Sequence, residues 1–239
     1  MSWSELQATE PDLAVAVRAR LDAGVQRTIT TSEGDARARV IAPEGDPVGA
    51  LMLGHGAGGG VDAPDIRTAA AVALAAGWAL ALVEQPYRVA GRRSPVPAPR
   101  LDTAWIEIAA ALTAPGGPLS GSALVTGGRS SGARVACRTA ARTGSIGVLC
   151  LAFPLQPPAR EGASAGPPSR QSELDGAGVP VLVVQGRSDR FGLPRSDRRL
   201  RREVARVDGD HGLKRDRAAI AAAITRWLSA LAARPRGSR

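Results

Sequence analysis

The most informative segment of the sequence for the fold is Ala123-Leu-Val-Thr-Gly-Gly-Arg-Ser-Ser-Gly-Ala-Arg134. Within it, Gly128-Arg-Ser-Ser-Gly132 matches the pattern Gly-x-Ser-x-Gly, at the junction of an apolar run and a helix-like stretch. In a strand–turn–helix of this kind the backbone of the central serine is strained, and glycines two residues before and after it leave room for the turn. The start of the following helix favours negative charge at that place. Ser130 is therefore a candidate nucleophile.

Short apolar runs recur on both sides of this segment. They are too short for helices and almost free of polar residues, which is typical of parallel strands buried on both faces. Ahead of them, strand-like runs at 25–30 and 37–41 flank the turn signal Ser32-Glu-Gly-Asp35, which predicts a hairpin. The sequence therefore predicts an α/β fold with a mostly parallel sheet and an N-terminal antiparallel hairpin. The buried runs are 49–53, 79–83, 122–126, 146–151 and 179–184, followed by a short strand at 203–207.

Helix-like stretches alternate with these runs, so right-handed crossovers would place helices on both faces of the sheet. No linker divides the 239 residues, which predicts a single domain over 1–239. Three loops rich in Pro or Gly, at 85–100, 114–121 and 153–171, are too short for a separate lid domain, and the first and third follow strands and are candidate pocket walls. The predicted helices are 11–21, 65–76, 101–112, 131–142, 194–202 and 213–231.

A serine nucleophile needs a base, and only two histidines, His55 and His211, occur in the chain. In hydrolases with this serine turn, the acid and then the histidine follow the serine in sequence, so His211 is the candidate base. Asp189 follows the buried run 179–184 after a short turn and is the candidate acid, which would hold the imidazole in one tautomer. Asp208 and Asp210 are too close to His211 in sequence for that geometry, and Asp197 falls in the predicted helix 194–202.

A glycine-rich turn, Gly54-His-Gly-Ala-Gly-Gly-Gly60, follows the first buried run. The N–H groups of Ala57, or of a neighbouring glycine, and of Ser131 are candidate donors to an oxyanion. Glycine-rich turns also bind phosphates, but this one lacks the Gly-x-Gly-x-x-Gly pattern with its acid, and no Walker lysine follows. We expect His55 to be structural, with its ring bonding the loop.

Composition narrows the function classes. The net charge is +9, but 30 of the 31 basic residues are arginines and Lys214 is the only lysine, which indicates coding bias. With these arginines scattered and only seven aromatic residues, we expect no specific nucleic-acid binding. Cys137 and Cys150 lie in apolar stretches and are expected to be buried free thiols, and no metal-ligand spacing or cofactor motif occurs. Without a membrane span or a secretory signal, we expect a cytoplasmic protein.

Several segments resemble the predicted hydrolases similar to testis-expressed protein 30, which are related to the dienelactone hydrolase group of the α/β-hydrolase superfamily. The resemblance covers residues 49–231 and implies an α/β-hydrolase fold with Ser130 as nucleophile, Asp189 as acid and His211 as base. Gln156 departs from it, since relatives often have histidine there, and the helix before Leu21 is additional. The segments are Gly54-His-Gly-Ala-Gly-Gly-Gly60, Gln85-Pro-Tyr-Arg-Val-Ala-Gly-Arg-Arg93, Gly127-Gly-Arg-Ser-Ser-Gly132, Phe153-Pro-Leu-Gln-Pro-Pro158 and Gln185-Gly-Arg-Ser-Asp-Arg-Phe-Gly192.

The expected function is hydrolysis of a carboxylic ester (a small acyl ester, thioester or lactone) through an acyl-enzyme. Arg88, Arg92, Arg93 and Arg129 are candidate substrate-binding residues that would favour a carboxylate-bearing substrate. The alternative for these side chains is that they brace loops through backbone carbonyls. The alternative function is a non-catalytic interaction module that retains the three residues without using them.

Overall fold

The computed structural model describes residues 11–157 and 167–233, and within these ranges eight strands form one sheet. The sheet order is β1-β2-β4-β3-β5-β6-β7-β8; β1 and β2 pair antiparallel, as do β2 and β4, and all other pairs are parallel. The predicted hairpin and mostly parallel sheet are confirmed. The strands are β1 (Val25–Thr31), β2 (Gly34–Ile41), β3 (Gly49–Gly54), β4 (Trp78–Glu84), β5 (Leu124–Arg129), β6 (Gly147–Leu151), β7 (Val181–Gly186) and β8 (Arg202–Val207).

Helices cover both faces of the sheet, as predicted. Along β3, Leu51 and Leu53 face a core shared with α1, α2 and α7, whereas Met52 faces the core under α4. Because both faces are buried, the strands read as continuous apolar runs. The helices are α1 (Pro11–Asp22), α2 (Pro64–Ala75), α3 (Pro86–Val89), α4 (Ala98–Thr113), α5 (Ser131–Thr139), α6 (Gln171–Asp175) and α7 (Arg217–Ala232).

The predicted helix 194–202 is wrong. Asp197 and Arg202 instead form an isolated antiparallel bridge, with backbone N–H···O distances of 2.9 and 2.8 Å. The Asp197 carboxylate accepts the N–H groups of Arg199 and Leu200. In a helix over 194–202 these groups would instead donate to backbone carbonyls, so the carboxylate stabilises a turn in place of the helix. Arg201 then takes a left-handed conformation with φ of 51°. Asp197 therefore lies in a turn and not in a helix.

The closing helix begins later than predicted, at Arg217 instead of residue 213. Leu213 is buried with a φ of 46°, and Asp216, with a φ of 49°, caps α7 by accepting the N–H of Ala219. A short helix, α3, lies within the predicted loop 85–100, and a second, α6, begins at the last residue of the predicted loop 153–171. The middle of the predicted loop 153–171 falls outside the described residues.

The two cysteines are buried and free, as expected, with their sulfur atoms 3.4 Å apart between α5 and β6. No helix in the described ranges is long and apolar enough to cross a membrane. Within the same ranges, no three His, Cys, Asp or Glu side chains cluster in a way that suits a metal ion.

Candidate active site

Ser130 occupies the sharp turn between β5 and α5. Its backbone is strained, with φ of 51° and ψ of −105°, and its N–H donates to the carbonyl of Leu151 at 2.9 Å. The end of β3 passes close to this turn: a Cβ on Gly132 would lie 2.7 Å from the Gly54 carbonyl oxygen, and a Cβ on Gly128 would collide with the same atom. Glycine is therefore required at both positions that the motif specifies.

The structure brings Ser130, His211 and Asp189 together from three separate loops. The His211 Nε2 atom lies 3.0 Å from Ser130 Oγ, and its Nδ1 atom lies 2.8 Å from Asp189 Oδ2. Because a carboxylate only accepts, Nδ1 carries the proton and Nε2 is left to accept from the serine hydroxyl. The Phe191 and His211 rings pack in a T-shaped arrangement, with ring centroids 4.4 Å apart. This arrangement can move a proton from Ser130 to His211.

Asp189 is buried, and two further donors orient its carboxylate. The Gln185 side-chain amide donates to Oδ2 at 2.8 Å, and the Phe191 N–H donates to Oδ1 at 2.9 Å. The same amide nitrogen of Gln185 also contacts the carbonyls of Phe153 and Gly192, at 3.1 and 3.0 Å. Gln185 and Phe191 were not predicted from the sequence. The available signal was a polar residue at the end of an apolar strand, four positions before the acid.

The other aspartates near His211 have different contacts. Asp208 forms an exposed ion pair with Arg187 at 3.3 Å, and the Asp210 carboxylate accepts the N–H of Gly212 at 2.8 Å. Neither forms a hydrogen bond to the His211 ring within the described part of the chain, so of these three aspartates only Asp189 contacts the ring.

The His55 ring bonds the glycine-rich loop, which is the structural role predicted from the sequence. The backbone N–H of Gln85 donates to its Nε2 at 3.1 Å, so Nδ1 carries the proton and donates to the Gly56 carbonyl at 2.8 Å. Burial lowers the pKa of His55, which keeps the ring neutral for this pair of bonds. The C=O and N–H of one trans peptide point in opposite directions, so His55 also sets the direction of the Ala57 N–H.

The N–H groups of the two candidate oxyanion donors form no hydrogen bond within the described residues. Neither Ala57 nor Ser131 has a backbone N–H partner among the residues described, and Ser131 is the first residue of α5, where such groups are free to bind an anion. The loop packs against the candidate nucleophile: a Cβ on Gly56 would lie 3.6 Å from the Ser130 Cβ. The Tyr87 hydroxyl donates to the Ala57 carbonyl at 3.3 Å and fixes the next peptide.

The four candidate arginines lie in different surroundings. Arg129 is engaged: its Nε lies 2.9 Å from Asp65 Oδ2, and its Nη2 donates to the His211 backbone carbonyl at 3.1 Å. Arg88 is half-buried beside His55, and its positive charge helps to lower the pKa of His55. Arg92 and Arg93 are exposed. Arg92 lines a cavity of about 340 Å³ between the β1–β2 turn, α3 and α4.

None of Arg88, Arg92 and Arg93 forms a hydrogen bond or ion pair with the Ser130, Asp189 or His211 side chains within the described ranges. The cavity at Arg92 is likewise lined by other residues than these three. The contact of Arg129 with the His211 carbonyl agrees with the bracing alternative, and a role in substrate recognition stays a prediction for all four arginines.

A serine turn at the carboxyl edge of a mostly parallel sheet, with the acid and the histidine on later loops, defines the α/β hydrolases. The chain belongs to this family: the sequence model described as alpha/beta hydrolase domain matches residues 47–233. The narrower similarity to testis-expressed protein 30 stays a resemblance. No curated protein matches the chain.

Solved structures agree on the fold. Est1E from Butyrivibrio proteoclasticus is 13% identical, with a TM-score of 0.70 over 88% of this chain and 100% of its own. The dienelactone hydrolase from Anabaena variabilis is 16% identical, with a TM-score of 0.65 over 87% and 97%. XC6422 from Xanthomonas campestris, described as a serine hydrolase without lid, is 19% identical, with a TM-score of 0.64 over 85% and 94%. At such identities the similarity establishes the fold.

Proposed function

We propose that the chain is a serine hydrolase that cleaves carboxylic esters (small acyl esters, thioesters or lactones) through an acyl-enzyme on Ser130. One observation carries the proposal: the His211 imidazole lies 3.0 Å from Ser130 Oγ on one side and 2.8 Å from Asp189 Oδ2 on the other. A base in contact with its nucleophile and oriented by a third group is the arrangement that nucleophilic catalysis requires.

In the acylation step, Ser130 Oγ transfers its proton to His211 Nε2 and attacks the ester carbonyl carbon. The carbonyl oxygen becomes an oxyanion that accepts hydrogen bonds from the N–H groups of Ala57 and Ser131. His211, now protonated and stabilised by Asp189, gives the proton to the leaving oxygen as the C–O bond breaks. The alcohol or thiol departs, or stays attached when the substrate is a lactone.

In the deacylation step, His211 takes a proton from water and the resulting hydroxide attacks the acyl carbon. The bond to Ser130 Oγ breaks and His211 returns the proton to that oxygen, which restores the resting state. The ester, water and these side chains supply every proton and electron pair in the cycle.

The small size of the loops supports a small, soluble substrate. The loops at the carboxyl ends of the strands are too short for a separate lid domain, and among the structural relatives are an esterase recorded with ferulic acid and a dienelactone hydrolase. Arg88 supports a carboxylate-bearing substrate, because it is half-buried beside His55 and Tyr87 and lacks an ion pair within the described residues. Arg92 and Arg93 would extend the positive charge outward.

The test is a panel of p-nitrophenyl esters of increasing acyl length, together with a small lactone. We expect turnover to be highest with the short acyl chains, and Ser130→Ala to lower kcat by about 10⁴-fold or more while the fold is retained. A folded wild-type protein that hydrolyses none of these compounds would leave the non-catalytic interaction module as the better account.

The same assay tests the arginines with a neutral ester and an anionic one of equal length. Arg88→Ala should raise KM for the anionic ester about tenfold, because a charge-assisted hydrogen bond is lost, and leave KM for the neutral ester within about twofold. Arg142→Ala, an exposed arginine beyond α5, is the matched control. Equal effects of Arg88→Ala on both esters would refute the anion preference.

A further inference from the structure

We infer that Arg129, anchored by the buried Asp65, is a positioning residue that sets the His211 loop against Ser130. This inference rests on the proposed function and assigns Arg129 a different task from substrate binding. Its basis is one guanidinium that contacts Asp65 and the His211 backbone and lies beside the glycine-rich loop.

These three neighbours lie at different nitrogens of the side chain. Arg129 Nη2 donates to the His211 backbone carbonyl at 3.1 Å, and Nε lies 2.9 Å from Asp65 Oδ2. Nη1 faces the glycine-rich loop, 3.9 Å from where a Cβ would lie on either Gly56 or Gly59. Since Arg129 directly precedes Ser130, the nucleophile, the base and the oxyanion loop meet at one planar group.

Asp65 explains why Arg129 stays in place. Its side chain is fully buried in the first turn of α2, and Arg129 is its only ion-pair partner within the described ranges. Burial raises the pKa of Asp65 and the charge of Arg129 opposes that rise. If Arg129 turned outward to a substrate carboxylate, it would leave a buried charge without its partner, which is costly.

The contact at the His211 carbonyl bears on catalysis through distance. His211 lies in the loop between β8 and α7, and its ring must keep Nε2 within reach of Ser130. A displacement of about 1 Å in such a group lowers the rate by about 10²-fold. Loss of the guanidinium fork should therefore lower kcat and leave KM unchanged.

The test compares Arg129→Met, Arg129→Lys and Asp65→Asn with wild type on a neutral ester and an anionic ester of equal length. We expect Arg129→Met to lower kcat about 100-fold on both esters, with KM within about twofold. Arg129→Lys keeps the charge but lacks the fork, so it should recover only part of the rate. Asp65→Asn should also lower kcat, although the buried Asp65 side chain cannot reach a substrate.

Two controls separate positioning from loss of folded protein. Each rate is divided by the concentration of sites titrated with a fluorophosphonate. Arg67→Met, also on α2, removes two other ion pairs, those with Asp22 and Asp62, and Arg67 makes no contact with His211 within the described ranges. Arg67→Met should keep the wild-type kcat per site. In the double variant Asp65→Asn/Arg129→Met, the fold-decrease in kcat should be smaller than the product of the fold-decreases in the two single variants, because both changes act through one interaction.

An anionic-ester KM that rises in Arg129→Met but not in Arg129→Lys, with kcat intact in Asp65→Asn, would identify Arg129 as a substrate-binding residue and overturn the inference. Losses that vanish after normalisation to titrated sites would overturn it too. In both cases the wild type remains an active esterase. A folded wild type that neither hydrolyses esters nor reacts with the fluorophosphonate would instead refute the proposed function, and the inference with it.

Discussion

At the scale of single residues, His55 illustrates how a side chain outside the reacting set directs a backbone donor. Its ring links the Gln85 N–H to the Gly56 carbonyl, at 3.1 and 2.8 Å, and thereby sets the direction of the Ala57 N–H. The proposed oxyanion donor is thus oriented before substrate arrives, which is the condition for electrostatic stabilisation of a transition state.

We predict that His55→Phe lowers kcat by about 10- to 100-fold with little change in KM, because the oxyanion donor loses its orientation. The buried Gln85 N–H also loses its acceptor, and the Gly56 carbonyl keeps only the 3.3 Å bond from the Gly59 N–H, so the free energy of unfolding should fall by about 1–3 kcal/mol. Steady-state kinetics and urea unfolding measure the two effects. An unchanged kcat in the folded variant would show that the loop is held without His55.

The residue scale also shows what sequence can and cannot predict. Ser130, Asp189 and His211 were predicted because a motif, a chain order and the scarcity of histidine leave one combination, and the structure brings these side chains within hydrogen-bonding distance. The Asp65–Arg129 pair was not predicted. Its members are 64 positions apart in sequence, and their contact depends on how α2 packs beside the serine turn.

At the scale of elements, the turn between β5 and α5 depends on the absence of side chains at two positions. The Gly54 carbonyl at the end of β3 comes within 2.7 Å of the place that a Cβ on Gly132 would occupy. Since that neighbour is backbone in the centre of the sheet, it cannot move aside cheaply.

Gly132→Ala should therefore lower the free energy of unfolding by about 1–3 kcal/mol through overpacking. Gly60→Ala is the matched control, because a Cβ there meets nothing closer than the end of the Glu84 side chain at 4.0 Å. Urea unfolding of both variants measures the difference. Equal stability of the two variants would refute the packing argument.

Strands and helices were predicted well where the burial of apolar residues determines them, and poorly where the hydrogen bonds of a single side chain do. The buried strands match their apolar runs to within a few residues. The helix expected at 194–202 is absent because the Asp197 carboxylate takes the N–H groups of Arg199 and Leu200. This local hydrogen bonding competes with the helix, and the spacing of apolar residues in the sequence gives no sign of it.

At the scale of the whole molecule, a half-buried charge network joins the helices on one face. Arg134 and Arg138 of α5 bind Glu173 of α6, with shortest distances of 2.6 and 3.2 Å, and Arg138 also binds Asp102 of α4 at 2.6 Å. Burial would raise the pKa of Glu173, but the two arginines outweigh it and the pKa is lowered. The helix that begins at the candidate nucleophile is thus tied to both neighbouring helices.

A lowered folded-state pKa gives Glu173 a stabilising contribution that is complete above its unfolded value of about 4.3 and is lost as the pH falls through the lower folded value. We predict that Glu173→Gln lowers the Tm near neutral pH and loses less further stability than wild type on acidification through that window. Thermal unfolding between neutral and acid pH measures this. Glu44→Gln, an exposed partner of Arg20, is the control. Parallel Tm curves for Glu173→Gln and wild type would contradict the prediction.

The central claim, that Ser130 is a nucleophile activated by His211, is tested most directly by fluorophosphonate labelling followed by peptide mass spectrometry. We predict one adduct per chain, located on Ser130, absent in Ser130→Ala and formed at least about 10³-fold more slowly in His211→Ala. A folded wild-type protein without an adduct at Ser130, or one labelled equally fast without His211, would contradict it.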